Sequence, residues 1–233
     1  MAPDDTQAYG KGQRSHRQRG ARLDRRTRAA RAQGRAARDE LLTAALRVFA
    51  RRGYAQAGVD EIAAEAGYSK GALYWHFASK EEVLLALLEE RVDAPMREMV
   101  ALLESAPPDR DMSLEATRGF ARQLRDQREA VLLDREYWSL ALRDPVLRAT
   151  YVGRQAELRG ALASALTARA RHLGAPDSPM TAEDVARVVI SIIGGLTVDE
   201  LIEPGSVRPQ LVGEALAVIY AGLVARAHGH PAS

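Results

Sequence analysis

No cysteine occurs among the 233 residues, which excludes a disulfide framework and a thiolate zinc site and makes a reducing compartment the natural setting. Aromatic residues are scarce, at three Phe, two Trp and seven Tyr. Runs of Val, Ile or Thr at period two are missing, and both absences speak against sheet. The longest apolar runs fall short of the ~18 residues a membrane helix needs, and the N-terminus lacks the apolar core of a signal peptide. A cytoplasmic protein that does not enter a membrane is therefore expected. Lysine is almost absent: Lys11, Lys70 and Lys80 stand alone in an arginine-dominated chain.

Catalytic signatures are missing too. There is no nucleophile–base pair, phosphate loop or metal-ligand spacing, so neither an enzyme nor a cofactor is expected. His172, His228 and His230 come nearest to a metal set, and a His-Gly-His in a C-terminal tail reads as solvated, so no metal is expected. What is present favours helix. Ala, Leu and Arg dominate, and all three are strong helix formers. With 46% apolar residues the chain can fill a sizeable core, and an all-α protein is predicted.

The net charge of +2 conceals an asymmetry: residues 1–38 hold Lys11 and ten arginines against Asp4, Asp5 and Asp24, a net +8 that leaves −6 on the remainder. Residues 1–34 contain almost no large apolar side chain except Tyr9 and Leu23 and read as a disordered basic arm. Such an arm either lies on DNA phosphates or the minor groove or is a solvated tail. From about residue 35 to 52, Leu41, Leu42, Ala45, Leu46 and Phe49 recur at helical intervals. Gly53 ends that helix, and the next starts near Gly58 or Val59.

The stretch from Gly67 to Phe77 carries the sharpest signal. Gly67 suits the left-handed residue that closes one helix, and Ser69 can cap the next. Ile62, Ala63 and Ala66 before the turn and Leu73 and Phe77 after it share inward spacings, which leaves Lys70, Gly71, Ala72, Tyr74 and His76 outward. This is a helix-turn-helix. Ser79 and Glu82 form a capping box that opens a further helix with Val83, Leu84, Leu87, Leu88 and Val92 on one face, which Pro95 should kink or break.

The run Val59-Asp60-Glu61-Ile62-Ala63-Ala64-Glu65-Ala66-Gly67-Tyr68-Ser69-Lys70-Gly71-Ala72-Leu73-Tyr74-Trp75-His76-Phe77, followed by Ser79-Lys80-Glu81-Glu82, resembles the TetR family of bacterial repressors, in particular its AcrR-like, drug-sensing branch. The resemblance implies a helix-turn-helix domain over residues 35–80 and a larger helical effector-binding and dimerisation domain over 81–227, with a flexible tail at 228–233. It implies that Lys70, Gly71 and Ala72 meet bases, that Tyr74 and His76 hold phosphates, and that Lys80 anchors the backbone. By their chemistry Lys70 can donate to guanine and Ala72 can touch a thymine methyl. Trp75 either packs on the first helix or lies on the sugar-phosphate chain. One departure stands out: Ala57 and Gly58 replace the usual Thr, so a hydroxyl cap and a phosphate contact are missing, while Asp60 and Glu61 would repel phosphate.

The family also places an effector pocket in the larger domain. Candidate liners are Met96, Met99, Leu103, Phe120, Leu124, Tyr137, Trp138, Tyr151 and Ile193, with Glu136, Arg154 or Gln155 as polar contacts; the bland alternative is that these are plain core. Thr181 with Asp184 opens a helix with one apolar and one semi-apolar face, and a final helix to residue 227 repeats the pattern. Such surface asks for a partner, and a homodimer through residues 181–203 and 208–227 is expected. The partners implied are a palindromic double-stranded operator and a small hydrophobic effector. The competing reading is a DNA-binding regulator with no small-molecule ligand, constitutive or controlled by a protein partner.

Overall fold

The computed structural model describes residues 6–107, 110, 112–172 and 180–227, with side chains from residue 29 onward except at 113, 220 and 223–227. All regular structure among them is helical, as the composition predicts. Helix α1 spans Thr6–Arg52, α2 Val59–Glu65, α3 Lys70–His76 and α4 Lys80–Leu88. A π-helical segment, Glu89–Asp93, joins α4 to α5, Ala94–Ser105. Then come α6 Ser113–Asp126, α7 Arg128–Ala141, α8 Pro145–His172, α9 Ala182–Ile202 and α10 Leu211–Ala227.

The first element differs from expectation. Where residues 1–34 read as a disordered arm, α1 runs back as one helix to Thr6. Leu41, Leu42, Ala45, Val48 and Phe49 are buried along its C-terminal part, and a helix held there extends at the low cost of propagation through Ala-, Gln- and Arg-rich sequence. Residues 1–5 and the tail 228–233, with His228 and His230, lie outside the described residues.

The core has three parts. The first unites α1, Ile62 and Ala63 of α2, Leu73 of α3, Phe77 and Val83, Leu84, Leu87 and Leu88 of α4 with Ala130, Leu133 and Tyr137 of α7. The expected division after residue 80 thus falls inside one continuous cluster. The second joins Val100 of α5 to Leu162 and Ala165 of α8 and Val185, Ala186 and Val189 of α9. Phe120, Val207 and Val212 form the third, under α6 and α10. No break separates two helices at Pro95: the chain stays helical from Lys80 to Ser105, with Pro95 in the first turn of α5. The chain leaves α-helical geometry just upstream, through the π segment.

Two long-range polar contacts brace this body. Arg169, buried on α8, donates to the Leu103 carbonyl at 3.1 Å and the Arg110 carbonyl at 2.9 Å, which ties the α5–α6 connection down. Arg154 of α8 grips both oxygens of Asp93 at 2.8 Å and reaches Asp134 of α7 at 3.1 Å. The two oxygens and two nitrogens match as a fork, the strong form of a charged pair. Burial lifts the Asp93 carboxyl above its ordinary value, and the Arg154 guanidinium pulls it part of the way back.

Candidate nucleic-acid interface

The turn before α3 is built from local bonds. Gly67 has φ +76°, the left-handed region that favours glycine. The Gly67 N–H donates to the Ala64 carbonyl at 3.1 Å and the Tyr68 N–H to the Ala63 carbonyl at 2.9 Å, the paired bonds of a Schellman C-cap. Two residues on, the extended Ser69 accepts from the Ala72 N–H at 3.1 Å and opens α3. Gly58 opens α2 without a side-chain bond, as the missing hydroxyl requires. Leu73 and Phe77 are buried beneath α3, whereas Tyr74 is exposed and Trp75 is 77% exposed.

Trp75 therefore does not enter the core. Its ring lies beside α1 at Gly34, where a Cβ would stand 4.0 Å away, and meets His76 edge-on at 4.6 Å. At the other end of α3, Lys70 pairs with Asp60 at 2.9 Å on the open surface. The hydrogen bond to Asp60 holds the Lys70 ammonium above its ordinary pKa. An exposed pair of this kind exchanges readily for another anion or a base edge, and Lys70 also neutralises the carboxylate that would repel DNA. A side chain at Gly71 would meet only the Ser69 hydroxyl, at 3.8 Å. The first turn of α3 thus presents an open approach to the backbone.

Lys80 corrects the expectation of a backbone anchor. Its ammonium donates to the carbonyls of Tyr54 at 2.8 Å, Ala57 at 3.0 Å and Ala55 at 3.3 Å, and sits 4.6 Å from the centre of the Tyr54 ring. All three of its protons are used inside the protein. Burial holds its pKa below the usual lysine value, and burial first, then Glu81 and Tyr137, pushes the Tyr54 phenol up to about 12. Replacing Lys80 by methionine should cost about 2 kcal/mol, the loss of charged hydrogen bonds to otherwise unpaired carbonyls. The salt slope of DNA binding should stay unchanged, whereas a lysine on a phosphate would take roughly one unit of slope with it. Thermal unfolding and a salt titration check both halves.

The same turn is held from the other side. Glu136 of α7 accepts from the Tyr54 N–H at 2.8 Å, next to Gly53, whose φ is +74°. A Cβ at Gly53 would approach the Glu136 carboxylate to 3.2 Å. The single proton of the Tyr137 hydroxyl can go to Glu81 at 3.5 Å or to the Leu147 carbonyl at 3.4 Å. One helix of the body therefore grips the head formed by α1–α3 at the turn before α2 and at the start of α4.

The family model described as bacterial regulatory proteins, tetR family, matches residues 41–87, and that described as BetI-type transcriptional repressor, C-terminal, matches residues 109–225. The chain belongs to the TetR family. As a TetR-family protein it is a DNA-binding transcriptional regulator and not an enzyme. It is 57% identical over 56 residues to the transcriptional activator FasR of Mycolicibacterium smegmatis, which covers 24% of this chain and 26% of that one. The first curated relatives are matched over only 25% to 45% of their length. A transcriptional regulator from Pseudomonas aeruginosa PAO1 shares the fold, with a TM-score of 0.68, 24% identity and coverage of 82% of this chain and 91% of that one. The multidrug binding protein EbrR complexed with proflavin has a TM-score of 0.52 and 26% identity, covering 78% and 99% of the two chains.

In this TetR-family regulator the residues expected to line one effector pocket are dispersed. Tyr137 is 0% exposed and belongs to the core shared with the head, with Tyr151 packed at its edge. Trp138 is 44% exposed. Adjacent residues on a helix point about 100° apart, and Tyr137 and Trp138 accordingly face different surroundings. Met99 lies on Gly119, Leu103 packs on the second cluster, and Ile193 touches the second and third. Met96 and Gln155 are half-buried, while Glu136 and Arg154 are engaged as described. Phe120 and Leu124 meet at an open cleft of 240 Å³ that they line with Arg125, Arg128, Glu200 and Val207. The polar joints, Glu136 to Tyr54 and Arg154 to Asp93, carried no sequence signal as such, because their partners lie 82 and 61 residues away.

Among the described residues no group of His, Asp or Glu could hold a metal. No described helix is long and apolar enough to cross a membrane.

Proposed function

We propose that this regulator binds a palindromic operator as a homodimer and releases it when a small hydrophobic effector binds the body, in the manner of the AcrR-like, drug-sensing branch. The observation that carries the DNA half is the first turn of α3: capped by Ser69, backed by buried Leu73, and presenting Lys70, Gly71 and Ala72 beside exposed Tyr74 and Trp75. Lys70, Gly71 and Ala72 read base edges, while Tyr74, Trp75 and His76 hold the flanking backbone. Lys80 supports this surface from inside. Dimerisation is supported by apolar side chains left outward on the last two helices, Val188, Ile202 at 78% and Val218 at 72% exposure. A regulator of this kind works in the cytoplasm, on chromosomal DNA.

Release would run through α7. That helix carries the Glu136 bond and Tyr137 into the head, and its N-terminal end borders the Phe120 cleft. A ligand that prefers one placement of α7 would bias the spacing of the two heads by as much as it discriminates between placements. EbrR, complexed with proflavin, supports a ring-bearing effector class. The cleft's 240 Å³ is below the usual range for small-molecule pockets. It favours the second reading, a regulator without such a ligand, constitutive or controlled by a protein partner.

The substitution Lys70→Ala tests the first half. Affinity for a selected operator should fall about tenfold or more with little change on random duplex, because a base contact carries sequence discrimination. Equal losses on both would remove α3 from base reading. A thermal-shift screen of hydrophobic compounds tests the second half: a bound effector raises the melting temperature, and a flat screen supports the ligand-free reading.

A further inference from the structure

We propose that the N-terminal part of α1 is a second DNA-binding element, a basic helix that lies along the phosphates outside the bases read by α3. This rests on the operator reading and adds to it a separate surface and footprint. Helix α1 has 47 residues, and among those whose side chains are described the first buried one is Leu41. At 1.5 Å per residue the part from 6 to 40 projects roughly 50 Å.

Its composition selects the partner. Between residues 6 and 40 the only large apolar residues are Tyr9 and Leu23, so there is no apolar face with which to dock on protein or enter a lipid interface. Arginines recur at 14, 17, 25, 28, 31, 35 and 38. These intervals are three, four or, once, eight residues, which in helical register form one stripe. The stripe is about 36 Å long at the α-helical rise, close to one turn of duplex. Arg19, Arg22 and Arg26 fall on the opposite side of the register.

The foot of the stripe adjoins the recognition helix. Arg38 lies 5.4 Å from the ring centre of Phe77, immediately after α3, and 3.6 Å from Glu90. Four residues earlier Gly34 stands against Trp75, itself 77% exposed. Arg31 and Arg35 are exposed between these points and residue 28. A duplex seated on α3 therefore meets the base of the stripe, and the remaining arginines continue from there. That juxtaposition favours DNA over another polyanion.

The test uses the full chain and a duplex selected with it from a random-sequence pool, in a form with long flanks and a form trimmed to the half-sites. Arg14, Arg17, Arg25 and Arg28 are changed together to glutamine, which keeps helix propensity. Arg19, Arg22 and Arg26 changed to glutamine serve as the comparison set. On the long duplex the stripe variant should lose about 3 to 4 units of log–log salt slope per protomer, near 0.9 for each phosphate contact. Its affinity should fall at least about a hundredfold at low salt, its footprint should shorten, and its binding to the trimmed duplex should stay nearly unchanged. Equal effects from the two sets reduce the helix to diffuse charge and overturn the proposal, as does an unchanged slope. A wild-type chain that selects no duplex overturns the operator reading as well. A chain that selects one, needs Lys70 and ignores the stripe overturns this proposal alone.

Discussion

Replacing Arg154 by leucine should lower the unfolding free energy by about 3–5 kcal/mol, because it leaves Asp93 without its cation and Asp134 with only the longer pair to Arg135 at 3.8 Å. Asp134 is buried and Asp93 nearly so, with side-chain exposures of 4% and 16%, and Arg154 itself is at 12%. Desolvation is already spent on all three groups, so removing the guanidinium abolishes the attraction without returning the carboxylates to water. Arg154→Lys should recover only part of the loss, since a single ammonium cannot engage both oxygens of Asp93 and reach Asp134. Denaturant unfolding measures both variants. A loss below about 1 kcal/mol for the leucine variant would mean that the pair is solvated and weak, as surface pairs are.

Truncating Tyr137 to alanine should cost a comparable 3–5 kcal/mol, roughly the range for emptying an aromatic site in a core. The side chain is 0% exposed within the cluster that includes Leu84, Leu88 and Phe49. Tyr137→Phe should cost under about 1 kcal/mol, because the hydroxyl's partners stand at 3.5 and 3.4 Å, at the edge of hydrogen bonding. The contrast separates two roles. A pocket-lining tyrosine would tolerate alanine in the ligand-free protein and change only ligand affinity. A joint residue loses stability and, because its cavity opens beneath the head, weakens operator binding in the alanine variant alone. Unfolding curves for both variants and one binding isotherm for each decide between them.

Reading range divides what the sequence made legible from what it concealed. Gly67, Ser69 and the Thr181–Asp184 capping box were readable because each bond closes within a few residues and backbone chemistry restricts which residue types can serve there. The inward spacing of Leu73, Phe77, Val83 and Leu87 was readable because helical periodicity is local. Lys80 was misdirected because its carbonyl partners are 23 to 26 residues away in another loop, and a lysine at a helix start looks the same whether it serves a phosphate or a turn. Tyr137 and Trp138 share the aromatic, polar-edged chemistry of pocket liners, and that chemistry does not reveal that one is buried and the other half-exposed. The backward extent of α1 escaped because a polar segment that cannot fold alone can still propagate from one that does.

The π segment carries a mechanical consequence for the whole molecule. A π turn holds more residues than an α turn, so Glu89–Asp93 shifts the angular phase of everything that follows. That offset lets one nearly continuous rod present Val83 and Leu87 to the head and Val100 to a separate cluster of the body. Length changes within these five residues would therefore register as torsion: deleting one would swing Val100 off its neighbours by roughly 100° while moving it along the axis by only about 1.5 Å.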